Sequence, residues 1–444
     1  MLGTILVFSC LFAVCLLAIR YPPAGVIGFY GFLLLDPEWN WRWAMPHDVP
    51  LQKSIFVALL IGFGFAGFRI QYQSKSSKWV VSGVVAFFVL CWLSSTQSFS
   101  PENSSFFMSV FWKQMLMLTA AIFLLDSPKS LKYLLVVAVV AQGYNALQIN
   151  LEYFQTGFSR YAHRPWGSTG ADNNGYSIIT LPIMAGSFAL AFFEKRLIVR
   201  GVLFGIGMLQ IHQIMLMESR GCMLAAVAMF GILVWYMPRK NGNAQLVFTA
   251  VLLAGLLAGP SVVKEFNSSF AQGEQQDSSA QSRFYLWKAG WQITMDHPLL
   301  GVGPNAARVL VPAYYEGGLE QEDKALHNLF FDVSTGAGVF GFVAYFTIFA
   351  LPLLHAFRTY DAEDDELGAL RLAVIAGIPG YLAASMFSSG LLFESCYVLV
   401  ILGCVCSNIE SYTDRLRADE GLELPTDESI LGQSSLGKSD LVVS

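Results

Sequence analysis

The run GYSIITLPIMAGSFALAFF at residues 175–193 contains no charged side chain. About twenty apolar residues are enough to cross the hydrocarbon core of a membrane as an α-helix. This run and twelve others like it predict an all-α polytopic membrane protein. The expected number of transmembrane helices is twelve or thirteen, because the second run along the chain, residues 24–35, is short and could be only partly inserted. The other runs occupy residues 2–19, 24–35, 54–68, 79–95, 106–125, 131–150, 197–217, 222–237, 243–262, 328–355, 369–387 and 391–409.

The composition supports this prediction. Of the 444 residues, 55% are apolar and 13% are charged, whereas soluble domains carry about 25% charged residues. A soluble enzyme is therefore excluded, and the net charge of −5 argues against a nucleic-acid partner, which would require a basic surface. We expect a membrane domain over residues 1–410 and an acidic, disordered cytoplasmic tail over residues 411–444.

Basic residues predict the sidedness of the membrane domain. With thirteen crossings, one set of short loops holds 13 Lys and Arg residues and the opposite set holds five. The positive-inside rule assigns the richer set to the cytoplasm, which places the N-terminus outside and the C-terminal tail inside.

One connection is much longer than the others. Residues 263–326 form a 64-residue loop on the predicted outer side. Within it, residues 267–282 are rich in Ser and Gln and are expected to be mobile, whereas Phe284, Trp287 and Trp291 have helical spacing. The segment 283–297 therefore predicts an amphipathic helix at the outer membrane interface.

Five residues near outer helix ends are candidates for chemistry, because charged groups at membrane level are costly unless they are paired, solvated or functional. They are Arg160, Arg164, Arg220, Arg283 and His327. Guanidinium groups bind phosphate with two parallel hydrogen bonds, and a histidine can accept a proton near neutral pH. Together they predict a transferase with a phosphate leaving group, although each arginine could instead pair with a lipid headgroup or a carboxylate.

Other residues add detail to this prediction. Glu218 could pair with Arg220 or serve as an alternative base. The seven cysteines lie in or at the ends of apolar runs, and the six histidines have no metal-ligand spacing. We therefore expect neither a disulfide framework nor a metal site, and no cofactor.

Several motifs of the sequence resemble those of the O-antigen ligase and polymerase superfamily. They are Ser219-Arg-Gly221, the series Arg283, Trp287 and Pro298-Leu-Leu-Gly-Val-Gly303, and His327-Asn328 followed by Gly336-Ala-Gly-Val-Phe-Gly341. Earlier segments resemble a branch of O-glycosylation ligases associated with exosortase systems: Arg20-Tyr-Pro-Pro23, Asp36-Pro-Glu-Trp-Asn-Trp41 and Gly170-Ala-Asp-Asn-Asn174.

The resemblance implies a glycosyltransferase of the C class in a bacterial inner membrane, with its active site on the periplasmic face. Such an enzyme moves a glycan from an undecaprenyl diphosphate carrier to a lipid, protein or polysaccharide acceptor without a metal and with inversion, as in lipopolysaccharide synthesis. It implies that Arg220 and Arg283 bind the diphosphate and that His327 is the base, while Arg160 and Arg164 are added by location. Supporting roles are expected for Glu218, Asn328, Asn174, Trp287 and Lys288.

Two alternatives stay open. A polymerase of the same superfamily would use another lipid-linked glycan as its acceptor. A transporter of an anionic glycolipid or solute would use the arginines for binding, although transporters usually show inverted repeats and interrupted helices on both sides of the midplane.

Overall fold

The computed structural model describes residues 2–46, 49–240, 242–259, 278–319, 321–364 and 366–419. In these ranges the chain is helical and contains no β-strand, which confirms the predicted all-α polytopic membrane fold. Among the described residues, eight helices are long and apolar enough to cross a membrane, and five shorter apolar helices accompany them. Each predicted apolar run corresponds to one of these helices.

The helices are numbered here in chain order. They are α1 (Leu2–Arg20), α2 (Pro22–Leu35), α3 (Pro37–Asn40), α4 (Leu51–Phe65), α5 (Lys75–Ser95), α6 (Pro101–Leu124), α7 (Pro128–Thr156), α8 (Asn173–Phe193), α9 (Leu197–Leu216), α10 (Arg220–Tyr236), α11 (Asn243–Leu257), α12 (Ser278–Asp296), α13 (Val311–Tyr314), α14 (Leu329–Thr359), α15 (Gly368–Ala384) and α16 (Ser395–Asp419).

The loops that connect the helices contact one another in two groups, one at each end of the helix bundle. At one end, the Phe99 N–H donates to the Val302 carbonyl oxygen at 3.0 Å, and the Ser168 N–H donates to Asp36 Oδ2 at 2.7 Å. At the opposite end, the Gln71 N–H donates to the Phe123 carbonyl oxygen at 2.9 Å. Successive long helices therefore alternate in direction, as the predicted topology requires. The end that contains Val302 is called the loop end below.

Helix α8 lies at the centre of the bundle and is buried along nearly its whole length. It packs against α7, α9, α10, α15 and α16. Small residues permit this close packing in a membrane, where lipid is as apolar as a side chain and close van der Waals contact has to hold helices together. Gly377 of α15 is an example, because a Cβ atom there would lie 3.1 Å from the Cβ atom of Ala185 in α8.

Helix α14 is kinked at Gly338, whose φ of 69° and ψ of −173° are essentially restricted to glycine. The kink lets the Val339 N–H donate to the Pro298 carbonyl oxygen at 2.8 Å, outside the helix. The Val302 N–H donates to the Thr335 carbonyl oxygen at 2.7 Å. The segment after α12 is therefore bound through its backbone to the first half of α14, and this attachment sets α12 relative to His327.

The amphipathic helix predicted in the long loop is confirmed, but it begins earlier than expected, at Ser278 rather than at residue 283. It buries Leu286, Ala289 and Ile293, and it exposes Phe284 and Trp291. Most of the segment predicted to be mobile, 267–277, lies outside the described residues.

The boundary of the predicted tail also needs correction. Helix α16 continues to Asp419, so residues 411–419 are helical rather than disordered. This extension is stabilised by side-chain pairs one turn apart on its exposed end, of which Arg415 and Asp419 are one. The remainder of the tail lies outside the described residues.

Candidate active site at the loop end

The turn between α9 and α10 is attached to the start of α8. Glu218 has a left-handed backbone, with a φ of 54°, and reverses the chain between the two helices. The Ser219 hydroxyl then donates to Asn174 Oδ1 at 2.7 Å. Arg220 follows as the first residue of α10, so the amino-terminal ends of α8 and α10 lie side by side.

The segments that carry Arg220 and Arg283 both contact Phe387. A Cβ atom on Gly221, the neighbour of Arg220, would lie 2.7 Å from the Phe387 side chain, so the two residues are in direct contact. The Arg283 guanidinium carbon lies 5.9 Å from the centroid of the Phe387 ring. The Trp287 and Phe387 rings are 6.2 Å apart, which places this face of α12 over the same residue.

His327 reaches this region through the start of α14. The Asn328 side-chain oxygen accepts two N–H bonds of the first turn of α14, at 2.9 and 3.3 Å, and its amide donates to the Met386 carbonyl oxygen at 3.1 Å. The Leu329 N–H donates to the Ser385 carbonyl oxygen at 2.8 Å. His327 has a left-handed backbone, with a φ of 51°, immediately before this cap. Such backbone strain is concentrated at functional sites.

These contacts bring Arg220, Arg283 and His327 around one short segment, residues 385–387, which follows α15. Three helices, α8, α10 and α14, begin at this place. Helix amino-terminal ends carry partial positive charge, so they add to the attraction of the arginines for an anion. The arrangement suits a diphosphate with a nearby proton acceptor.

The electrostatic surroundings of His327 favour its neutral form. Burial lowers the pKa of His327, and the cations Lys324, Arg283 and Arg308 lower it further, while Asp172 opposes them. An imidazole whose pKa lies below 6.5 is mostly unprotonated at pH 7 and can accept a proton. The lowered pKa is therefore compatible with the predicted role of His327 as a general base.

Three charged residues near this cluster were missed in the sequence. Asp172 caps α8 by accepting the Gly175 N–H at 2.6 Å, and Arg308 forms an ion pair with Asp323. Asp332, in the first turn of α14, has a buried carboxylate oxygen without a hydrogen-bond partner. The motif at residues 170–174 and the rarity of acids in apolar helices were available signals for Asp172 and Asp332. Arg308 lies where the sequence has no recognisable pattern.

Three predicted residues have contacts or surroundings of their own that do not involve residues 385–387. The Arg160 guanidinium pairs with Glu152 of α7 at 2.9 Å. Arg164 is exposed in the same loop, and Lys288 extends from α12 to Glu316 at 2.6 Å. A direct role of these three residues in diphosphate binding stays a prediction.

An apolar cavity of about 420 Å³ begins beside the cluster. It lies between α8, α9, α10 and α11. Met223, on its wall, follows Arg220 by one turn of α10. The lining is Met184, Ile211, Ile214, Met215, Met223, Ala226, Val227, Phe230, Ala250, Val251, Ala254, Gly255 and Ala258.

Among the residues that the structure describes, no group of three or more His, Cys, Asp or Glu side chains could hold a metal ion. The fold and these contacts define a polytopic helical membrane protein with a cationic, histidine-containing candidate site at one end of its bundle. Residues 207–346 match the family model of the O-antigen ligases, and this segment contains Arg220, Arg283 and His327. The match covers about a third of the chain and supports the predicted O-antigen ligase superfamily, which implies a glycosyl-transferring membrane enzyme. The exosortase-associated branch stays a prediction. No curated protein matches the chain significantly.

Proposed function

We propose that this protein is a membrane glycosyltransferase that moves a glycan from a polyprenyl diphosphate carrier, undecaprenyl diphosphate in bacteria, to an acceptor hydroxyl. The reaction occurs on the extracytoplasmic face of the inner membrane. The observation that carries the proposal is the meeting of Arg220, Arg283 and His327 around residues 385–387.

Each group has one role in the reaction. His327 accepts the proton of the acceptor hydroxyl, and the oxygen forms a bond to the anomeric carbon of the glycan. The bond from that carbon to the diphosphate oxygen breaks, and the electron pair leaves with the diphosphate. Arg220 and Arg283 stabilise the charge that develops there, so the reaction needs no metal ion and a single displacement inverts the anomeric centre.

The apolar cavity supports a lipid-linked donor. Its lining has no charged side chain, and it begins one turn from Arg220. A polyprenyl chain lying there would keep its diphosphate at the amino-terminal end of α10. The cavity thereby links the membrane interior to the charged site.

The acceptor decides between ligase and polymerase. Purified protein is incubated with undecaprenyl diphosphate-linked oligosaccharide and, in separate reactions, with lipid, peptide and lipid-linked glycan acceptors. Transfer to one of the first two supports a ligase, whereas elongation of the lipid-linked glycan supports a polymerase. No transfer to any acceptor, together with uptake of the glycolipid into vesicles, would support a transporter instead.

Substitution of His327 tests whether this residue is the general base. His327→Ala should reduce kcat by about 10²–10⁴-fold, the usual contribution of a general base, while donor binding persists. Arg283→Ala should weaken donor binding as well, because the guanidinium meets the diphosphate in both the ground state and the transition state. Near-normal transfer by His327→Ala would remove the base role from His327 and direct attention to Glu218.

A further inference from the structure

A second depression lies between the last turns of α12 and the short helix α13, toward the opposite end of α12 from Arg283. Its volume is about 370 Å³, and it is lined by Trp291, Gln292, Met295, Asp296, Ala313 and Tyr314. The Trp291 side chain is 57% exposed, so its ring is accessible from outside the protein. The depression therefore presents an aromatic ring, an amide, a hydroxyl and a carboxylate together.

The carboxylate in this depression is held in position. The Tyr314 hydroxyl donates to Asp296 Oδ2 at 2.8 Å, which links the end of α12 to α13. A carboxylate has two oxygens and about four sites for accepting hydrogen bonds, so this bond leaves capacity for a ligand. The Gln292 amide can both donate and accept.

The chemistry of the lining selects among possible occupants. A lipid phosphate would meet Asp296 without any lysine or arginine in the lining to offset the repulsion. An acyl chain would leave the carboxylate, the amide and the hydroxyl without hydrogen-bond partners, which is costly. A sugar satisfies both parts of the surface, because its hydroxyls bond the polar groups and its C–H face packs on the indole ring.

We propose that this depression, called the α12 subsite, binds a sugar unit of the glycan at a distance from the reacting end. Trp291 follows Arg283 by eight residues and Asp296 follows it by thirteen, which is about 12–20 Å along a helix. An oligosaccharide can span that distance, but a single sugar cannot. The proposal rests on the proposed glycosyl transfer and adds that chain length affects binding.

The test measures KM and kcat with substrates of different length. Undecaprenyl diphosphate-linked glycans are extracted from the expressing cells and separated into short and long donors, and acceptor glycans are separated in the same way. Trp291→Ala, Asp296→Asn and Tyr314→Phe are compared with wild type in detergent micelles. Phe284→Ala is the matched control, because Phe284 is an exposed aromatic residue (63%) of the same helix outside the depression.

We expect Trp291→Ala to raise KM about tenfold for long substrates, with kcat and the KM for short substrates unchanged. The removal of one hydrogen-bonding group in Asp296→Asn or Tyr314→Phe should raise the same KM about threefold. A change confined to long donors assigns the subsite to the donor glycan, and a change confined to long acceptors assigns it to the acceptor.

Three results would overturn the subsite. They are unchanged KM values for all substrates, equal changes for short and long substrates, and a change in Phe284→Ala that matches Trp291→Ala. The last result would indicate that the exposed face of α12 binds detergent or lipid. Failure of wild-type protein to transfer any glycan would instead contradict the proposed function itself.

Discussion

Gly338→Ala tests whether the kink in α14 positions the active site. A Cβ atom at residue 338 would lie 2.2 Å from the Leu299 carbonyl oxygen and 2.8 Å from the Pro298 carbonyl oxygen, well inside normal contact. The backbone conformation of Gly338 alone costs another residue about 1–3 kcal/mol. With the steric overlap added, we expect the native arrangement to be destabilised by at least about 3 kcal/mol, which is more than a hundredfold in population.

Such a penalty is relieved by local movement, because only the contact between residues 298–303 and α14 has to break. Arg283 and His327 lie on the two elements that this contact joins. We therefore expect transfer to fall about a hundredfold or more while the protein still inserts and purifies as a helical monodisperse species. The assay is glycan transfer by purified protein, with circular dichroism as the measure of helix content.

Gly231→Ala is the matched control for this variant. Gly231 lies in α10, and a Cβ atom there would meet no atom within 4 Å. Alanine in a helix interior is favoured over glycine by roughly 1 kcal/mol, so this variant should be fully active. Wild-type transfer by Gly338→Ala would refute the idea that the kink positions the site.

Three further predictions concern the charges of the site. Asp172 raises the pKa of His327 and Arg308 lowers it. Asp172→Asn should therefore move the acid limb of the profile of kcat/KM against pH to lower pH, and Arg308→Gln should move it to higher pH. Profiles identical to that of the wild type would contradict the role of His327 as the base. Arg220→Lys and Arg283→Lys should each keep only part of the transfer that the corresponding alanine variant loses, because an ammonium has the charge but cannot form two parallel hydrogen bonds. Full activity of either lysine variant would argue against bidentate diphosphate binding. Transfer should persist in EDTA. A loss reversed by a divalent ion would favour a metal site, and the carboxylates of Glu316, Glu320, Glu322 and Asp323 in the long loop would then be tested as ligands.

The helices were predictable because the membrane imposes a strong local requirement. Within lipid, a segment has to satisfy its own backbone hydrogen bonds and expose apolar side chains, so each crossing is visible as a run of apolar residues. The alternation of loops between two ends follows from the same requirement. The helical continuation to Asp419 was less visible, because an exposed helix end depends on weak side-chain pairs rather than on burial.

The motifs predicted candidate site residues, but not how the segments that carry them meet. Gly301 shows the difference, because its role depends on Thr335, more than thirty residues away. A Cβ atom on Gly301 would lie 2.2 Å from the Thr335 carbonyl oxygen, so the glycine is required by a contact between two distant segments. No local pattern contains that information.

The sequence by itself predicted the class of fold, the superfamily that the family match supports, and three candidate site residues that the fold places around residues 385–387. Only the tertiary structure decided that Arg160 pairs with Glu152, that Asp172 and Arg308 act on His327, and that Trp291 and Tyr314 share a depression. The physical reason is the range of the interactions. Helix formation in a membrane depends on neighbours within one segment, whereas charge pairing and shared cavities depend on how separate segments pack.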